Sequence, residues 1–179
     1  MPHVGGQAAD PPRADLRSRM TTKADVFADE VDTAWLELRQ EVDRLDAQDF
    51  EARTPAGWTV KEMLAHVAFW AETVEMVIVG QLRGEPISEA EWYGGDNLRL
   101  SGSWPHADVH NAREAEWARR HSTREVLQRL DAAHRRAVTT AASLDDDEMA
   151  DERYTGKVRA NTIYHYTEHL AELRHRISA

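Results

Sequence analysis

Residues 59–78 read TVKEMLAHVAFWAETVEMVI, and the fold turns on how they are read. Thr59-Val60-Lys61-Glu62 has the form of a capping box, in which a Thr hydroxyl and a Glu carboxylate each satisfy a backbone amide left open at a helix start. From there Val60, Leu64, Val67, Ala71, Val74 and Ile78 fall three or four apart, so one face of a helix is apolar along its whole length. The spacing predicts a helix that ends near the breakers Gly80 and Gly84.

The same period recurs on both sides. Upstream, Phe27, Val31, Trp35, Leu38, Val42 and Leu45 mark a helix from Lys23 to Leu45, followed by a linker through Phe50, Pro55 and Gly57. Downstream, Asp108–Arg120 reads as a short helical piece, and Ser122-Thr123-Arg124-Glu125 offers a second capping box into Val126, Leu127, Leu130, Ala133, Ala137 and Val138. An acidic turn, Asp145-Asp146-Asp147-Glu148, leads to a last helix from about Val158 to the C-terminus, with Ile163, Tyr166, Leu170, Leu173 and Ile177 on one stripe. Four amphipathic helices with no strand-like alternation imply an all-α four-helix bundle in which the second and fourth helices are neighbours. Glu85–Ala107 shows no sustained period but carries Trp92, Tyr93 and Trp104, and reads as a crossover between helices two and three, folded over one end of the bundle. Residues 1–22 are expected to be a disordered leader, with Met20 a second candidate start, and residues 23–179 one bundle domain.

The chain has 32 acidic against 22 basic residues, a formal net charge of −10, which argues against nucleic acid as a partner because such affinity rests on cations displacing counterions. It contains no cysteine, so disulfides, thiolate ligands and a cysteine nucleophile are excluded. Met1–Arg19 lack the apolar run of a signal peptide, and no stretch approaches the roughly 20 apolar residues that span a bilayer. A cytoplasmic monomer or homodimer acting on a small molecule, with no membrane, is expected.

Nine histidines are present. His3 lies in the leader, and His121, His134 and His175 stand among polar neighbours on expected solvent faces. His165 and His169 form HxxxH, which stacks two imidazoles one turn apart on one helix face. They lie on the flank of the apolar stripe, toward a seam between helices, and His66 flanks the stripe of helix two on the side of Trp70 and Thr73. Each ring can be accounted for by a hydrogen-bond partner in the packing, but three on two helices that meet favour a site. His165-Tyr166-Thr167-Glu168-His169 also matches HxxEH, which makes Glu168 a candidate general base, against the simpler reading of an exposed helix carboxylate. The chain ends too soon after His169 for the fold of those metalloproteases. His106 and His110 lie near the crossover and are not taken as ligands.

Three segments taken together resemble a known family: Gly57-Trp58-Thr59-Val60-Lys61-Glu62-Met63-Leu64-Ala65-His66-Val67, Asn111-Ala112-Arg113-Glu114, and Ala160-Asn161-Thr162-Ile163-Tyr164-His165-Tyr166-Thr167-Glu168-His169-Leu170. Their order and spacing resemble the ClbS/DfsB branch of the DinB-like superfamily, with its mycothiol-dependent maleylpyruvate isomerases and bacillithiol transferases. The resemblance implies an up-down-down-up bundle, with His66, His165 and His169 holding a divalent ion, zinc or nickel. It implies a metal-dependent hydrolase or thiol transferase that turns water, mycothiol or another small thiol on an electrophile. Two other readings stand beside it, a binding protein that sequesters a reactive molecule in self-protection or detoxification, and a structural bundle with no ligand. Trp58, Trp70, Trp92, Trp104 and Asn111 are the candidate pocket residues, with core packing the competing role for Trp70 and helix capping for Asn111.

Overall fold

The computed structural model describes residues 21–85 and 107–176. Most of the leader and the crossover, with Trp92, Tyr93, Trp104 and His106, lie outside the described residues. Thr22 is not leader but the N-cap of the first helix, its hydroxyl accepting from Asp25 N–H while the Asp25 carboxylate accepts from Thr22 N–H.

Helix α1 runs Lys23–Val42, α2 Val60–Glu75, α3 Ala107–Arg120 and α4 Thr123–Ala142. A single turn, α5 (Asp146–Ala150), precedes α6 (Glu152–Arg159) and α7 (His165–Arg174). Both capping boxes read from the sequence are formed, at Thr59/Glu62 and Ser122/Glu125, beside the one at Thr22/Asp25, and a fourth at Asp145/Glu148 turns the expected acidic turn into a helical one. Two wide, π-helical segments extend the helices: Met76–Leu82 continues α2, and Ala160–Tyr164 joins α6 to α7.

The first wide segment carries α2 through Gly80, and the chain turns instead at Gly84, whose φ of +69° is the left-handed conformation that closes helices. Val60–Leu82 thus forms one 23-residue helical run, long and apolar enough by length and composition to cross a membrane. That corrects the expectation that no stretch approaches such a length. In this fold 72% of its apolar window is buried inside the protein, as befits the core helix of a bundle.

The four long helices close a ring: α1 packs on α4, α4 on α2, α2 on the α6–α7 helix, and that helix back on α1, with α3 laid along α2. Val31, Leu38, Val60, Leu64, Val67, Ile78, Leu130, Ala137, Val158, Tyr166 and Leu173 meet in the middle, each essentially sealed from water. The fourth helix starts at Glu152, capped by Asp151, rather than near Val158. Its upstream buried face includes Thr155 and Thr162, whose hydroxyls bond back to the helix, so no aliphatic stripe announced it.

The loop into α2 is shaped by Gly57 at φ +88°. Thr54 N–H donates to Trp58 O at 2.8 Å and Gly57 N–H to Thr54 O at 2.9 Å, which holds Trp58 beside the first turn of α2. A Cβ on Gly57 would meet nothing within 4 Å, so Gly57→Ala tests backbone conformation alone. It is expected to cost about 1–2 kcal/mol in urea denaturation, with Gly57→Asn closer to wild type. An unchanged urea midpoint would mean the turn has an alternative.

Candidate metal centre

His66 projects from the second turn of α2, and His165 and His169 from the first turn and a half of α7. The wide turn before α7 sets the second pair. Asn161 within it donates to Thr73 Oγ1 at 2.6 Å, and Thr73 donates to Trp70 O at 2.7 Å, so the turn is pinned to α2 two helix turns beyond His66. Tyr164 is left facing solvent while His165 begins α7 half-buried. Wide turns of this kind recur at functional sites.

The three Nε2 atoms converge. His165 Nε2 lies 2.9 Å from His66 Nε2 and 3.0 Å from His169 Nε2. Their outer nitrogens reveal the tautomers. His66 Nδ1 is 2.9 Å from Asn111 Oδ1, and Trp70 Nε1 is 3.2 Å from the same oxygen. Two N–H donors on one atom identify it as the amide carbonyl, so His66 Nδ1 carries the proton and its Nε2 a lone pair. The indole is also 3.2 Å from His66 Nδ1, but a nitrogen that donates to Asn111 cannot accept there. His169 Nδ1 likewise donates to Glu172 Oε2 at 3.1 Å, leaving its Nε2 bare. Between the three inner nitrogens there is room for one proton at most, on His165.

That donor set fits a divalent cation: three imidazoles, two with outer N–H groups held by a carbonyl or a carboxylate. The two separations from His165 are a few tenths shorter than the roughly 3.3 Å between nitrogens that each lie 2.0–2.1 Å from a tetrahedral zinc, and all three atoms lie within 4.8 Å of one another, so modest ring movements would seat one ion among them. His165 Nδ1 is the exception to the expected outer shell, being buried with no partner among the described residues.

Burial and the neighbouring rings keep His66 and His165 uncharged. Burial, then the proximity of His169, holds the pKa of His66 down to about 3 against the small opposing pull of Asn111, and burial with both neighbours holds His165 down to about 2. Both lie below the unfolded value of about 6.5, so the unfolded chain takes up these protons first as pH falls. The corresponding stability is complete above about pH 6.5 and is lost toward pH 3. The urea midpoint of metal-free protein should therefore fall between about pH 7.5 and pH 5, and His165→Gln should flatten that dependence. Equal slopes in the two proteins would contradict buried, neutral rings.

The remaining candidates divide. Trp58 stacks obliquely on His66 at 4.7 Å between centroids, Trp70 meets it edge-on at 6.2 Å, and Asn111 holds its outer nitrogen, so all three surround the cluster. Glu168 is exposed, and the carboxylate that meets the cluster is Glu172, one turn later. His110 stacks on Phe69 at 4.9 Å, apart from the triad. His134 is not on a solvent face: it is buried, stacked on Trp35 at 4.4 Å, with Nε2 2.8 Å from Asp32 and Tyr166 OH 3.5 Å from its other nitrogen. His121 is half-buried against Trp117, and His175 is exposed.

Residues 31–173 match the family model described as the mycothiol maleylpyruvate isomerase N-terminal domain. The chain belongs to this family. No curated protein matches it. Solved structures of the same fold include the colibactin self-resistance protein ClbS in complex with a double-stranded DNA, at 12% identity and a TM-score of 0.66 over 85% of this chain and 93% of ClbS. A Streptococcus pneumoniae protein (15% identity, TM-score 0.62, 88% of this chain and 91% of that one) and an uncharacterized Clostridium difficile 630 protein (15%, 0.62, 88% and 96%) are also similar. At these identities the likeness is one of fold, the DinB-like, ClbS-type bundle that the sequence motifs resemble. ClbS corrects the exclusion of nucleic acid, since a protein of this fold was crystallised with duplex DNA. Net charge sums the whole surface, whereas a duplex meets one face of it, so −10 overall decides nothing locally.

Proposed function

We propose that this member of the mycothiol maleylpyruvate isomerase N-terminal domain family is a metal-dependent enzyme that turns a low-molecular-weight thiol on a small electrophile. The observation that carries the reading is the convergence of three imidazole nitrogens, from two helices, on one spot. A zinc or nickel ion held there would supply Lewis acidity, favouring the thiolate form of a thiol, or the hydroxide form of water, near neutral pH. Asn111 and Glu172 fix the ring orientations, and Trp58 and Trp70 present apolar walls that orient a substrate and limit water. The absence of cysteine means the sulfur nucleophile is a cosubstrate, and the family description points to mycothiol. A cytoplasmic setting, where such thiols are reduced, suits this chemistry.

The test is turnover of a panel of small electrophiles by zinc- or nickel-loaded protein, with mycothiol, with another thiol and with water alone. Thiol-dependent consumption is the expected result, and water-only turnover would make the chain a hydrolase. Binding of an electrophile at stoichiometric metal without turnover would overturn the enzyme in favour of sequestration, the reading that fits a fold shared with a self-resistance protein. Duplex DNA belongs in the same binding assay.

A further inference from the structure

The three rings of the cluster are not held alike. His66 and His169 carry protons on Nδ1, where Asn111 Oδ1 and Glu172 Oε2 accept them at 2.9 and 3.1 Å, so both rings turn Nε2 to the cluster in the tautomer a ligand needs. His165 has no such partner: its Nδ1 is sealed from water and meets no hydrogen-bond partner among the described residues. An unmet lone pair is better tolerated in such a place than an unmet N–H. His165 therefore favours its proton on Nε2, the atom 2.9 Å from His66 Nε2 and 3.0 Å from His169 Nε2. Ligation reverses that preference. Nε2 must then give its lone pair to the ion, the proton moves to Nδ1, and a buried N–H is left without an acceptor.

The backbone repeats the asymmetry. His66 and His169 lie in the second turns of α2 and α7, and both are buried. His165 opens α7 directly after the wide turn Ala160–Tyr164 and is only half-buried. Tyr164, just before it, is 63% exposed and makes no side-chain cap. The His165 ring thus has water within reach and no outer bond to break, whereas either of the other rings must break one to move.

We propose that His165 is the exchangeable ligand of this centre, the ring that yields its place to an incoming thiolate while His66 and His169 stay bound. One metal–nitrogen bond breaks and one metal–sulfur bond forms, the proton of the thiol passes to solvent, and the number of donors is unchanged. The sulfur takes the place that the ring leaves, and the displaced imidazole recovers the tautomer its surroundings favour. A soft, anionic thiolate is a stronger donor to zinc than an imidazole burdened with an unmet N–H. That role deepens the proposed function, on which it rests, by naming the residue that admits the cosubstrate.

Histidine labelled with 15N distinguishes, by NMR, ring nitrogens that bear a proton, a lone pair or a metal. In the zinc-loaded wild-type protein, His66, His165 and His169 should each show a metal-bound Nε2. Adding 2-mercaptoethanol, at concentrations that leave zinc on the protein, should return His165 alone to the signals of a free ring. Zinc affinity is the second readout. Without thiol, alanine at any of the three positions removes a donor and weakens binding. With saturating thiol, His165→Ala should bind zinc within a few fold of wild type, while His66→Ala and His169→Ala remain on the order of a hundredfold weaker. Three rings still metal-bound under saturating thiol, release of His66 or His169 in place of His165, or a thiol-saturated His165→Ala as weak as the other two overturns the exchange and leaves the metal centre standing. A wild-type protein that binds no zinc removes the metal enzyme and the exchange together.

Discussion

Alanine in place of His66, His165 or His169 is expected to lower zinc affinity on the order of a hundredfold or more, and elemental analysis of untagged protein should find the metal largely gone. The size follows from the geometry. The cluster offers three nitrogens, and every one is either 2.9 or 3.0 Å from a neighbour, so no fourth described side chain stands ready to replace a lost ring. Changing an outer partner removes less: Asn111→Ala frees the His66 tautomer, and Glu172→Ala that of His169, each for a loss of roughly tenfold to a hundredfold. Affinity should also fall on acidification as protons compete for the same lone pairs. His175→Ala is the control, since that ring is exposed and only bonds back to Ala171 O. His134 would be a poor one, because its burial against Trp35 and Asp32 makes any loss there a loss of packing. Stoichiometric metal in His66→Ala and His169→Ala would place the site elsewhere.

The sequence made the triad legible for a physical reason. His66, His165 and His169 sit on the edges of apolar stripes, and in a bundle the edge of one stripe meets the edge of the next, so flank histidines on adjacent helices face each other. What stayed hidden depends on contacts rather than period. The HxxEH pattern points to Glu168, which as the immediate neighbour of His169 lies on another face, whereas Glu172, three residues on in α7, reaches the ring. The segment before Val158 gives no helical signal, because the helix that begins there buries threonines where a stripe would show leucines. Gly80 reads as a stop, yet a wide turn carries the helix past it. The charged residues of the core are the least visible of all, since nothing in hydropathy distinguishes a buried Arg or Glu with a partner from a solvated one.

Arg129 is the clearest of these, and its replacement by Met is expected to destabilise the fold by about 3–5 kcal/mol. The side chain is fully buried on α4. Its Nε and Nη2 grip the two oxygens of Glu72 on α2 at 2.9 and 2.7 Å, its Nη1 meets Glu114 on α3 at 2.5 Å, and its guanidinium lies over Trp117 at 4.6 Å. Two carboxylates thus share one cation, and burial pushes the Glu114 carboxyl up while Arg129 opposes it. Taking Arg129 away leaves both acids in the core without their counter-charge, which costs far more than the pair contributes relative to a well-packed apolar core. For a chain of this size the loss corresponds to a fall in thermal midpoint on the order of 10 °C. The effect should reach the histidines, because Glu114 lies one turn beyond Asn111 on α3, and Glu72 shares α2 with His66. Arg129→Met is therefore expected to weaken zinc binding even at temperatures where it remains folded, by loosening the helix that presents Asn111 to His66. Adding Glu72→Gln and Glu114→Gln, which removes the stranded charges, should recover part of the stability. A single variant that melts within about a degree of wild type would show that water or a rearranged side chain takes over the role of the guanidinium.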